Sequence, residues 1–337
     1  MSGDSIVKAI QSRLVAVNGI NMHVSEQGQG PVILLCHGFP ETSYSWRHQM
    51  GPLAEAGYKV VAPDMRGYGR TDSPGSVEEF SMEHLVGDIV GLLDSMEVED
   101  ALIVGNDWGA SVAWQAALRF PRRFRGLVAL GVPMMRRAPV PPTTFFPRTE
   151  ELELYALYFQ GVGTAEQEFE ENVAESVLKI LYAASGEAGP RKEGDGTPNP
   201  FGMVNRKAGL LATLPVPNPL PPWMSQEDID VYAQAFGRSG FRGGLNYYRN
   251  LDRNWEQEAA YSDAVVVVPT LYLVGERDTG LSIPGMREII ASMPELVPDL
   301  RGAHVIPECG HWIPQERPAI LSKMIIDFAN ELEVRQA

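Results

Sequence analysis

The sequence predicts an α/β fold: a mostly parallel central sheet with helices on both faces, interrupted by an inserted helical cap. Three observations carry that expectation. Short apolar runs such as ALIVG (residues 101–105) alternate with segments of helical apolar spacing, the signature of βαβ units. The alternation stops after Pro133, where RRAPVPPTTFFPR is too rich in proline to continue it. It resumes near residue 265 with VVVVPTLYLVGERD. The chain therefore divides into a sheet domain, residues 1–133 and 265–337, and a helical cap, residues 134–264.

Taken in order, RLVAVNG and INMHVSEQG meet at Asn-Gly and read as a β-hairpin. PVILLC and YKVVAPD read as buried strands, and SMEHLVGDIVGLLDSM as a helix. ALIVG is a third strand, SVAWQAALRF its helix, and GLVALGVP a fourth strand. In the cap, ELELYALYFQG and AEQEFEENVAESVLKILYAAS read as helices, and RKEGDGTPNPFG and LPVPNPLPPWM as loops. SQEDIDVYAQAFG reads as a helix with Ser225 as N-cap, and GGLNYYRNLDRNWEQ as another helix. AHVIPE is the last strand and PAILSKMIIDFANEL the closing helix. No repeat or low-complexity tract interrupts this order.

With 337 residues and 44% hydrophobic content the chain can bury a large core. Its net charge of −15 excludes phosphate backbones and anionic membrane surfaces as partners. No run approaches the roughly 20 apolar residues of a membrane span. The N-terminus MSGDSIVKAIQSR lacks a signal-peptide core, so a soluble, cytoplasmic protein is expected. Two cysteines, Cys36 and Cys309, give no disulfide framework. Cys309 lies two residues before His311, but a packing role suits it better than a nucleophile's.

The chemistry concentrates at the ends of the apolar runs. GNDWGA, Gly105 to Ala110, joins a strand to a helix. A small–x–nucleophile–x–small turn in that place is the nucleophile elbow of α/β-hydrolases, here with Asp107 at its centre instead of serine. The alternative for Asp107 alone is a helix N-cap. Ser111 lies inside the following helix. The backbone N–H of Trp108 opens that helix, where negative charge is favoured. HGFP, His37 to Pro40, follows PVILLC and offers a second oxyanion donor, the N–H of Phe39. This fold orders its triad nucleophile, acid, histidine. Asp278 ends LYLVGERD and His311 sits in CGHW, both after strands. His304, inside AHVIPE, reads as structural. Glu41 either positions water or is a solvated loop carboxylate. DMRGYGRTD lacks a phosphate-binding pattern and reads as a structural loop.

HGFPETSYSWRHQ, DMRGYGRTD, GNDWGA, GERD and ECGHW, in that order, resemble the motifs of the soluble α/β-hydrolase-fold epoxide hydrolases, from about Val15 to Leu332. The resemblance implies the α/β-hydrolase fold and an epoxide as substrate; no cofactor or metal is needed, no cysteine or histidine cluster suggests one, and a cap rich in Phe, Leu, Met and Pro predicts an apolar pocket for a small apolar epoxide. It also implies two cap tyrosines that donate to the epoxide oxygen. LYALYFQG places the first at Tyr155 and LNYYRN the second at Tyr248; Tyr158 and Tyr247 are their alternatives. The implied reaction is epoxide to vicinal diol through an ester of Asp107. His311, oriented by Asp278, activates the water that hydrolyses that ester.

A carboxylate suits this reaction because it is already ionised and attacks a saturated carbon without first losing a proton. The alternative activity is a haloalkane or haloacid dehalogenase with the same Asp nucleophile. Halide departure calls for N–H donors, whereas a tyrosine pair suits a developing alkoxide. A non-catalytic binding protein on this fold would be expected to lack at least one catalytic group, and all are present. The chain is expected to act as a monomer or homodimer.

Overall fold

A computed structural model of the chain describes residues 9–189 and 199–334. Ten strands occur among the described residues: β1 Gln11–Val17, β2 Ile20–Gln27, β3 Val32–Cys36, β4 Lys59–Pro63, β5 Ala101–Asn106, β6 Phe124–Leu130, β7 Leu152–Leu154, β8 Met203–Asn205, β9 Thr270–Gly275 and β10 Leu300–Ile306. Eight of them form one sheet in the order β1-β2-β4-β3-β5-β6-β9-β10. The pairs from β4 to β10 are parallel; β1–β2 and β2–β4 are antiparallel. The hairpin forms as expected, with Asn18 and Gly19 at φ 44° and 81°, the conformation an Asn-Gly turn supplies.

The helices around the sheet are α1 Arg47–Glu55, α2 Met82–Ser95, α3 Trp108–Arg119, α11 Met286–Ser292, α12 Ile313–Glu316 and α13 Pro318–Val334. Those of the inserted segment are α4 Pro142–Phe145, α5 Tyr155–Tyr158, α6 Thr164–Glu171, α7 Val173–Ala184, α8 Gln226–Ser239, α9 Arg242–Arg249 and α10 Leu251–Gln257. The central strands are buried on both faces, and successive side chains feed two separate apolar layers. Val32, Leu34, Ile103 and Leu127 join one layer with Leu85 and Ile89 of α2 and Val112 and Ala116 of α3. Ile33, Leu35, Leu102 and Val128 join the other with Met50 and Leu53 of α1 and Ile325 and Phe328 of α13. Asp64, in DMRGYGRTD, accepts from His23, Ser43 and the Arg70 N–H, which fits a structural loop.

The inserted segment departs from the sequence expectation in three places. ELELYALYFQG is not one helix: Leu152–Leu154 is a strand paired antiparallel with Met203–Asn205, and only Tyr155–Tyr158 is helical. The Leu-Glu-Leu alternation has the period of a strand, and the pairing makes use of it. AEQEFEENVAESVLKILYAAS breaks at Asn172, which leaves helical geometry and caps α7 by accepting from the Glu175 N–H. GGLNYYRNLDRNWEQ breaks at Asn250, whose amide donates to Val77 O and Asn246 O. Ser225 caps α8 as expected, reciprocally with Asp228. In VVVVPTLYLVGERD the strand starts only at Thr270, after Pro269, which has no N–H to give a ladder. Of the loop RKEGDGTPNPFG, residues 191–198 lie outside the described residues.

Candidate active site

Strand register brings the motifs to one edge. Cys36 at the end of β3 lies opposite Gly105 near the end of β5, so HGFP and GNDWGA leave the sheet side by side. Ile306 of β10 lies opposite Gly275 of β9, which puts the loops bearing His311 and Asp278 next to each other. Ligands of open α/β sheets bind beyond these carboxyl ends.

Asp107 sits at the elbow with φ 54°, a left-handed conformation that costs a non-glycine residue energy and persists only where the surroundings enforce it. Those surroundings admit no extra atoms. A Cβ on Gly105 would collide with the Gly109 carbonyl, and one on Gly109 with the Cys36 carbonyl. The Asp107 side chain makes no capping bond to α3. Its Oδ1 instead accepts from the Phe39 N–H at 2.8 Å, and its Oδ2 lies 3.3 Å from His311 Nε2. The N–H of Trp108, first residue of α3, is one of that helix's unpaired N-terminal donors.

His311 Nδ1 meets Asp278 Oδ2 at 2.9 Å, and Asp278 Oδ1 accepts from the Gly280 N–H at 2.7 Å. Asp278 is fully buried and His311 is 4% exposed. Burial pulls the His311 pKa down. The charges of Asp278 and Asp107 and their hydrogen bonds outweigh it and hold the imidazole well above its ordinary value.

The tyrosines are set apart by their surroundings. Tyr158 donates to Glu168 at 2.9 Å and Tyr247 to the Arg66 carbonyl at 3.0 Å, so both hydroxyls are engaged in structural bonds. The rings of Tyr155 and Tyr248 meet edge to face with centroids 5.6 Å apart, and Trp108 lies against Tyr248 at 5.1 Å. Burial first, and then the charge of Asp107, pushes both phenols up, so each stays a neutral donor at neutral pH. Tyr155 is held at the start of α5 by its own N–H, which donates to Gly202 O.

Glu41 is fully buried, which overturns its reading as a solvated loop carboxylate. It accepts from Asn106 Nδ2 at 3.3 Å and Gln315 Nε2 at 2.8 Å, and burial pushes its pKa up to about 7. His37 is also buried, between Gly38 O and the Met65 N–H, a turn-stabilising role.

Residues 31–318 match the family model of the alpha/beta hydrolase fold. The chain is 40% identical over 326 residues to epoxide hydrolase A of Mycobacterium tuberculosis, a match covering 96% of this chain and 98% of that one. The chain belongs to the epoxide hydrolase family of this fold. Among solved structures, the epoxide hydrolase from an endophytic Streptomyces superposes with a TM-score of 0.91 at 38% identity, covering 97% of each chain. Epoxide hydrolase I of potato, Solanum tuberosum, gives 0.85 at 41% identity over 96% of this chain and all of that one. A dehalogenase reading finds no support among these relatives.

This epoxide hydrolase relative carries site residues that its sequence did not disclose. Phe201, in a loop, packs 5.1 Å from the His311 ring and 5.4 Å from Tyr155; nothing in its sequence context marks it. Asn106 and Gln315 hold Glu41, and the visible signal for them is adjacency to Asp107 and a place four residues after His311. The other sequence candidates stand apart. Ser111 is inside α3, and His304 is exposed on β10, the edge strand of the sheet. Cys36 and Cys309 are buried, and burial pushes both thiols up, Cys36 to about 12. Among the described residues no group of three or more His, Cys, Asp or Glu side chains could hold a metal ion. None of the described helices is long and apolar enough to cross a membrane.

Proposed function

We propose that the protein is an epoxide hydrolase that converts an apolar epoxide and water into a vicinal diol through a covalent ester of Asp107. One observation carries the reading: an elbow carboxylate, where this fold usually has serine, lies between an N–H donor on one oxygen and a histidine–aspartate pair on the other.

In the first step an Asp107 oxygen attacks an epoxide carbon and the ring C–O bond breaks. Oδ1 already rests on the Phe39 N–H, so it becomes the ester carbonyl oxygen and Oδ2 is the nucleophile. Tyr155 and Tyr248 donate to the developing alkoxide, which takes up a proton from solvent. Esterification removes the Asp107 charge that helps to hold the His311 proton, so the His311 pKa falls, the proton leaves to solvent and the neutral imidazole is free to act as base in the second step. In the second step His311, oriented by Asp278, takes a proton from water. The water oxygen attacks the ester carbon, and the N–H groups of Phe39 and Trp108 hold the oxyanion, each worth roughly 3 kcal/mol. The ester bond breaks, the diol oxygen takes the proton from His311, and Asp107, left as the carboxylic acid, passes its proton to His311 and returns as carboxylate. Glu41, fixed by Asn106 and Gln315, is a water-positioning group.

In this reading residues 134–264 act as a cap over a core of residues 1–133 and 265–337, and one chain supplies every group. The protein works in the cytoplasm, which suits two free cysteines. The test is diol formation from a panel of aryl and alkyl epoxides by wild type and Asp107→Ala. Diol from wild type and none from the variant is the expected result. No diol from either folded protein, together with halide release from haloalkanes, would replace this reading with a dehalogenase.

A further inference from the structure

The loop that carries His311 is gripped by a buried carboxylate that takes no part in the steps above. Glu316 is 5% exposed. Its Oε2 accepts from the N–H groups of Gly310 at 2.8 Å and Gly186 at 2.9 Å, and its Oε1 from the N–H of Trp312 at 3.0 Å. Gly310 and Trp312 are the two neighbours of His311 in the chain. Gly186 belongs to the cap, just beyond α7. Two more bonds cross the same seam: the His311 N–H donates to Ala184 O at 3.0 Å, and Trp312 Nε1 to Leu181 O at 2.6 Å. A Cβ on Gly310 would collide with the backbone of Ser185 and Gly186, so cap and loop meet backbone to backbone. No ion pair to Glu316 occurs among the described residues. Burial pushes its pKa up to about 7 against the pull of the three N–H groups that converge on it, so the clamp is complete above that pH, where a carboxylate presents acceptors alone on both of its oxygens.

We infer that Glu316 is a positioning residue for ester hydrolysis: it clamps the backbone on both sides of His311 and ties that loop to the cap, which keeps Nε2 aimed at the attacking water. This rests on the roles proposed for Asp107 and His311. Ring opening depends on Asp107 and the tyrosine pair; ester hydrolysis depends on the aim of His311. Loosening the clamp therefore separates the two steps, whereas a purely structural defect slows both.

The test is single-turnover reaction with styrene oxide, acid quench and intact-protein mass spectrometry, on wild type, Glu316→Gln, Glu316→Asp and His311→Asn. An amide at position 316 turns an NH2 toward an N–H and opens the clamp. Glu316→Gln is expected to form the ester within about threefold of the wild-type rate and to hydrolyse it at least about tenfold more slowly, so that the adduct accumulates. Glu316→Asp, which keeps both acceptors on a shorter arm, is expected to fall between the two. Wild-type hydrolysis in Glu316→Gln, or an equal slowing of both steps, overturns the inference. If the Gln variant does not fold, the Asp variant carries the same test by the same criterion. If neither folds, Glu316 serves folding and the inference falls. An adduct in His311→Asn beside an unaffected Glu316→Gln defeats this inference alone. No adduct in any variant, and no diol from wild type, defeats the proposed function itself.

Discussion

Tyr247 and Tyr248 are adjacent in sequence, and only the first has its hydroxyl on a backbone carbonyl, that of Arg66. Tyr248 stands among Phe39, Trp108, Tyr155 and Phe159, close enough to Asp107 to feel its charge. Tyr248→Phe is expected to slow ester formation by roughly 10²-fold, the usual effect of removing one donor to a developing oxyanion. Tyr247→Phe is expected to leave that rate nearly unchanged and to cost about 1 kcal/mol of stability. Stopped-flow ester formation and urea unfolding read the two effects, and the reverse pattern would exchange the assignments. Glu41 gives a second residue-scale expectation. Burial raises its pKa from 4.5 to about 7, so the fold favours its protonated form. The linked stability is complete below pH 4.5 and is lost as pH rises through about 7. Glu41→Gln should remove that loss, worth roughly 2 kcal/mol between pH 5 and pH 8. Melting temperatures of both proteins at the two pH values measure the slope; parallel slopes would show that Glu41 does not titrate there.

The elbow is the element on which the site turns. It holds Asp107 in left-handed geometry because β3, β5 and α3 meet with no room for a side chain at Gly105 or Gly109. The atoms met there are backbone, which cannot swing aside. Gly109→Ala is therefore expected to destabilise the protein by at least about 3 kcal/mol, or to abolish folding, since overpacking a rigid contact displaces main chain. Circular dichroism melts check this; a variant that melts like wild type would mean that the elbow yields. The inserted segment shows the limits of local pattern at this scale. Its helices carry amphipathic spacing, but Asn172 and Asn250 end them through hydrogen bonds of their own side chains, one of which reaches Val77.

Over the whole molecule, the inserted segment and the elements around the sheet share one apolar layer. Phe159, Phe169, Tyr232 and Leu245 of the inserted segment belong to the same cluster as Phe39, Tyr68 and Phe80 of the sheet domain. Buried polar bonds cross the same boundary: the Met82 N–H donates to Asn254, and Tyr247 donates to Arg66. The inserted segment is therefore expected to unfold together with the rest of the chain in a single transition. Calorimetry tests this: equal calorimetric and van't Hoff enthalpies are expected, and two resolved peaks would separate the units.

The sequence alone determined the alternation of strands and helices, the inserted segment, the elbow at Asp107 and the order Asp107, Asp278, His311. These are local or ordered patterns: apolar period, glycine spacing and position after a strand are all written within a few residues. Tertiary structure set the tyrosines of each pair apart: it engages the hydroxyls of Tyr158 and Tyr247 in bonds to Glu168 and Arg66 and leaves Tyr155 and Tyr248 within reach of the Asp107 charge, whereas periodicity treats both of each pair alike. It also decided the burial of Glu41, brought Phe201 to His311, and joined Gln315 to Glu41 and Glu316 to Gly186. These partners lie far apart in the chain, and such proximity is set by long-range packing, which no local pattern encodes.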